Sequence, residues 1–85
     1  YLHPAIPLLA EHDRLHETDY FNTLKVYITS MRNTGDTTRS LNIHRNTLLY
    51  RLEKIQQFTG IDLRNHDTCA HLLCCFYLIQ MGDNN

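Results

Sequence analysis

Apolar residues recur along the chain at helical spacing, and strand-like alternation is nowhere sustained, so the pattern predicts an all-α fold. Pro4 and Pro7 suit the opening turn of a first short helix carrying Leu8, Leu9 and Leu15. A polar break at His16, Glu17 and Thr18 ends it, with Thr18 as candidate N-cap for a second helix over about residues 19–32. In that helix Tyr20, Leu24, Tyr27, Ile28 and Met31 occupy i, i+4, i+7, i+8 and i+11, which predicts one core-facing stripe. Asn33, Thr34 and Gly35 interrupt it. A third helix of about two turns fits residues 35–41, and after Asn42, Ile43 and His44 a longer fourth helix fits about residues 45–58. There Leu48, Leu52 and Ile55 lie within roughly 40° of one direction, opposite Asn46, Tyr50, Glu53 and Gln57, with Thr47 and Lys54 at the edge. One face packs and the other is presented. Thr59-Gly60 is a helix stop, Ile61 and Leu63 return to the core, and Asp67 or Thr68 caps a last helix to about Met81. Its apolar set includes Leu72, Leu73, Cys75, Phe76 and Ile79, and residues 82–85 read as a frayed tail. The expected architecture is a five-helix domain containing a helix-turn-helix.

Composition narrows the class. A chain of 85 residues allows one domain and leaves little room for an enclosed active-site cleft, so an enzyme of ordinary design is not expected. No apolar run approaches the roughly 18 residues of a membrane span and no leader is visible, which predicts a cytoplasmic protein without a membrane partner. The first residue is Tyr1 rather than Met, which suggests a piece cut from a longer protein. Cys69, Cys74 and Cys75 are odd in number and two are adjacent, a usage that fits a reducing compartment. The net charge of −1 conceals an asymmetry. The middle third, residues 31–60, carries Arg32, Arg39, Arg45, Arg51 and Lys54 against Asp36 and Glu53, while both flanks are net acidic. A basic middle is expected when one face meets a polyanion.

That basic segment, Asn33 to Leu52, carries the marks of a helix-turn-helix, in which a support helix crosses the duplex backbone and the next helix starts in the major groove. Leu41 and Ile43 anchor the turn from below, so that His44, Arg45, Asn46 and Thr47 project from the start of the reader helix. Arg bonds guanine O6 and N7 together, Asn does the same for adenine N6 and N7, and Thr and Tyr hydroxyls suit phosphate oxygens. The candidate DNA-binding residues are therefore Asn33, His44, Arg45, Asn46, Thr47, Tyr50, Arg51 and Lys54. Bland alternatives stand beside them: His44 as a mere cap, Arg51 in an intramolecular pair, Tyr50 in the core, and Glu53 as a solvated partner of Arg45 or Gln57.

The stretch LNIHRNTLLYRLEKIQQFTGIDL, Leu41 to Leu63, closely resembles the C-terminal helix-turn-helix domain of PucR-type transcriptional regulators, which include purine catabolism and sugar diacid regulators. Thr23-Leu24 with Tyr27 matches the family's leading segment, Asn33 its opening of the support helix, and His44 to Leu63 its reader pattern. The resemblance implies sequence-specific binding of double-stranded DNA at the C-terminal end of a ligand-sensing transcription factor. A weaker similarity runs to the factor for inversion stimulation, which acts as a dimer. The expected partners are duplex DNA and a second copy of the chain, with any effector ligand bound by a domain outside this one. The apolar helices around Tyr20 to Met31 and Leu72 to Ile79 are candidate dimer surfaces. Gly35-Asp36-Thr37-Thr38 departs from the Ala-rich support helix of the family, with Thr38 at a position the family packs with Ala, so this helix is expected to start late or be weak.

Two rivals remain open at this point. His71 with Cys74 and Cys75 has ligand-like helical spacing, and His66 and Cys69 precede them, which keeps a structural metal in view although no CxxC pair exists. No cofactor is otherwise expected. A helical protein–protein interaction module without DNA binding is the second rival.

Overall fold

The computed structural model describes residues 3–83. Five helices follow one another: α1 (Ala5–His16), α2 (Tyr20–Thr29), α3 (Thr34–Leu41), α4 (Arg45–Thr59) and α5 (His66–Asp83). The fold is all-α, as the hydrophobic pattern predicts.

Helix α1 opens where the ring Nδ1 of His3 accepts the Ala5 N–H at 3.0 Å, and it ends at Glu17, whose left-handed φ of 55° turns the chain. It buries Ala5, Ile6 and Leu9, whereas Leu8 and Leu15 of the same helix are exposed. The cap of α2 also differs from expectation. Asp19, not Thr18, takes the N-cap position, and the first N–H groups of α2 are held instead by Asp13 of α1. One carboxylate oxygen accepts from Tyr20 N at 2.9 Å and the other from Phe21 N at 2.8 Å, while the Thr18 hydroxyl donates to the same group. A full negative charge at a helix N-terminus outcompetes a neutral hydroxyl. The cap is tertiary, and local sequence could not announce it.

Helix α2 is the hub, packing against each of the other four. Thr23, Leu24 and Ile28 are buried, and Tyr20 and Tyr27 are half-buried along the expected stripe. Met31 leaves that stripe: α2 stops at Thr29, Met31 and Arg32 adopt left-handed φ values of 56° and 62°, and Met31 is 65% exposed. Arg32 turns back to donate to the Leu63 carbonyl at 3.3 Å and to His66 Nδ1 at 3.1 Å, tying this turn to the α4–α5 connection.

Helix α3 starts at Thr34, earlier than expected, because the Asn33 side chain accepts the Asp36 N–H at 2.9 Å and supplies a cap worth about 1 kcal/mol. Gly35 lies inside that capped first turn. The buried packing position is Thr37, fully enclosed with its hydroxyl donating to Asn33 O at 2.7 Å, while Thr38 sits half-buried at the edge. The expectation for Thr38 was one residue out of register.

Gly60, with φ of 78°, ends α4. Asn65 rather than Asp67 or Thr68 caps α5, accepting from Thr68 N at 2.9 Å. The helix continues through Gly82 and Asp83, so the tail is helical there; Asn84 and Asn85 lie outside the described residues. One contiguous core joins Ile6 and Leu9 of α1, Leu24 and Ile28 of α2, Leu48, Leu52 and Ile55 of α4, Leu63, and Cys69, Leu72, Cys75 and Phe76 of α5. Phe76 meets Phe21 edge-to-face, with centroids 5.6 Å apart. Leu24, Ile28, Leu72 and Phe76 are therefore interior, and Tyr77, Leu78 and Met81 are large apolar side chains that α5 leaves exposed.

Candidate nucleic-acid interface

The α3–turn–α4 unit is built to fix one helix and present its outer face. Asn42 closes α3 in the left-handed conformation with φ of 54°, and Leu41 and Ile43 pack against the core beneath the turn. The chain enters α4 through His44 in an extended conformation, ψ 150°. Leu48 and Ile55 are wholly buried and Leu52 nearly so, which pins the inner side of α4 against α2.

The outer side carries most of the candidate residues. His44, Arg45, Asn46 and Thr47 form an exposed run at the start of α4. His44 stands at the N-cap position without capping through its side chain, and no acidic residue occupies the first turn. The partial positive charge of the helix end is therefore not offset there by a carboxylate. One turn on, Tyr50 is 58% exposed, which removes the core reading for it, and the Lys54 ammonium lies over its ring at 5.5 Å from the centroid. Glu53 accepts from Gln57 Nε2 at 3.3 Å on the same exposed side.

Two candidates are placed differently. Asn33 uses its side-chain oxygen to cap α3, leaving its amide N–H groups for any outside acceptor. Arg51 turns inward, with a quarter of its side chain exposed, and donates to the Thr23 hydroxyl of α2 at 3.1 Å; Asp19 stands 3.8 Å away. Its intramolecular alternative is the one the structure displays. Thr23, a buried residue of α2, is the partner that sequence reasoning noted only as part of a motif. Among the other basic residues, Arg39 pairs with Asp36 one turn earlier in α3.

The metal alternative finds no geometry. Among the described residues, no three His, Cys, Asp or Glu side chains converge. Cys69 and Cys75 are buried, Cys74 is exposed, and His66 is engaged by Arg32. No described helix is long and apolar enough to cross a membrane.

Comparison with known proteins bears on the same segment. Residues 20–78 match the PucR C-terminal helix-turn-helix domain. The DNA-binding transcriptional activator AdeR of Bacillus subtilis is 42% identical over 61 residues, covering 72% of this chain and 14% of that protein. The proline-responsive transcriptional activator PutR of the same organism is 33% identical over 80 residues, covering 94% of this chain and 20% of its own length. The carbohydrate diacid regulator of Escherichia coli is 58% identical over 31 residues, covering 36% of this chain and 8% of that protein. The chain thus spans a fifth or less of these relatives, and no solved structure matches it. Since the match takes in the hub helix, both helices of the motif and most of α5, the chain belongs to the PucR C-terminal helix-turn-helix family of DNA-binding transcription regulators.

Proposed function

We propose that this chain is the sequence-specific DNA-reading domain of a longer regulator and that α4 enters the major groove. The observation that carries the proposal is the exposed run His44, Arg45, Asn46 and Thr47 at the start of a helix whose opposite side is locked into the core. Arg45 and Asn46 are the base-reading pair, since each offers two-point hydrogen bonding to a purine edge. His44, Thr47, Tyr50 and Lys54, with the amide of Asn33, face phosphate and fix register. Arg51 supports that surface from behind, through its hold on α2.

A single reader helix covers too few base pairs for useful specificity, so the working unit is a homodimer on half-sites about 34 to 36 Å apart. The protomer's longest dimension, 34 Å, is of the same order as that spacing. An effector ligand, where one acts, binds a domain outside residues 1–85, and the regulator works in the cytoplasm.

Fluorescence anisotropy of labelled duplexes tests the reading. The chain should bind duplex DNA with affinity that falls as salt rises, and should prefer some sequences over others. Affinity independent of both salt and sequence would favour the protein-interaction alternative.

A further inference from the structure

Arg51 is a cation in the reader helix that does not face where a polyanion would lie. Its guanidinium donates to Thr23 Oγ1 at 3.1 Å and lies 3.8 Å from Asp19 Oδ2. The Thr23 hydroxyl in turn donates to the Asp19 carbonyl at 2.6 Å, so its proton is committed and its lone pair is free to receive Arg51. Thr23 is fully buried, which puts this contact behind α4 rather than on its outer face. The receiving turn of α2 is itself held from α1 by Asp13, through Tyr20 N and Phe21 N.

We infer that Arg51 is a positioning residue that sets the roll of the reader helix, and through it base selectivity, without touching DNA. The inference rests on the DNA-reading role proposed above. The apolar contacts of Leu48, Leu52 and Ile55 hold α4 against α2 but are non-directional and tolerate small rotations about its axis. A hydrogen bond between a charged, planar donor and a buried hydroxyl is directional. With side-chain tips about 5 to 6 Å from the axis, a roll of about 10° displaces them by about 1 Å. That is enough to spoil two-point bonds to a purine edge at Arg45 and Asn46. Phosphate contacts from a flexible lysine such as Lys54 adapt more readily.

The test uses the 85-residue chain with Arg51→Met, Arg51→Lys and Thr23→Val, and the double variant Arg51→Met/Thr23→Val. Each is assayed by anisotropy across a salt series and by selection from a random duplex pool. Arg51→Lys keeps the charge and the stem, so it still tests the contact if Arg51→Met fails to fold. Both Arg51 variants and Thr23→Val should lower affinity for the preferred duplex by about tenfold and flatten the ranking of sites. The salt slope should stay that of the wild type. The double variant should be no worse than the poorer single one, because both break the same contact. The inference is overturned if Arg51→Met lowers the salt slope by about one while keeping the ranking and Thr23→Val is silent, the signature of a phosphate contact. A wild-type chain that selects no sequence overturns the reading role itself, and the two failures are distinct.

Discussion

At the scale of single residues, the reading role proposed for α4 predicts two kinds of loss. Arg45 lies in the first turn of α4, while Lys54 lies more than two turns on, beside Tyr50. Arg45→Ala should cost about 1 to 3 kcal/mol on the preferred duplex, whereas Lys54→Ala should weaken all duplexes alike and reduce the salt slope by about one. Anisotropy titrations on a selected and a scrambled duplex decide between them; equal losses for Arg45→Ala on both would remove it from base reading. The identity of the presented residues was legible in the sequence because a helix presents whatever its apolar stripe does not bury. Which presented cation has an internal partner was not legible. Arg51 and Thr23 are 28 positions apart and meet only because α2 and α4 cross. Thr37 and Thr38 show the finest limit: a short helix with one buried position gives too few apolar residues to fix its phase.

Element ends carry the next set of consequences. The existence and type of all five helices were legible from periodicity and punctuation, while three helix starts differ from expectation through their caps: Asp13 of α1 holds the start of α2, Asn33 starts α3 one residue early, and Asn65 caps α5. Glu17 ends α1 in the left-handed region, where a side chain is strained and glycine is not. Glu17→Gly should therefore raise stability by about 0.5 to 1 kcal/mol, seen as a thermal midpoint higher by a few degrees. A lowered midpoint would show that the Glu17 side chain does more than close the turn.

The start of α1 makes stability depend on pH. Burial, and then the neighbouring His71, hold the His3 imidazole below the usual histidine range, and its Nδ1 must stay unprotonated to accept the Ala5 N–H. The unfolded chain takes up this proton more readily than the folded one. Stability from His3 is thus complete above the ordinary value of about 6.5 and is lost as pH falls from there through the lowered value of the folded state. Asp62 behaves likewise in stronger acid, because first the Arg64 backbone N–H and then its side chain favour the carboxylate. Urea unfolding should show a lower midpoint at pH 5.5 than at pH 7.5. His3→Gln should lessen that drop; an unchanged drop would place the proton elsewhere.

For the whole molecule, the structure redistributes the basic middle third that first suggested a polyanion. Arg32 is tied to Leu63 and His66, Arg51 to Thr23, and Arg39 to Asp36, which leaves Arg45 and Lys54 as the cations presented by α4. The slope of log affinity against log salt should then be no steeper than about −2 per domain and about −4 for a homodimer, well short of what five free cations would give. A slope near −5 per domain would mean that the internal pairs open on binding. The central claim is that α4 reads bases through its first turn, and selection of bound duplexes from a random pool tests it most directly. The wild-type chain should enrich a defined half-site, paired in a homodimer at about one helical turn, and Arg45→Ala should lose the preference at one base position while keeping the rest. A pool that stays random under the wild-type chain, or an enriched site that Arg45→Ala leaves unchanged at every position, would contradict it.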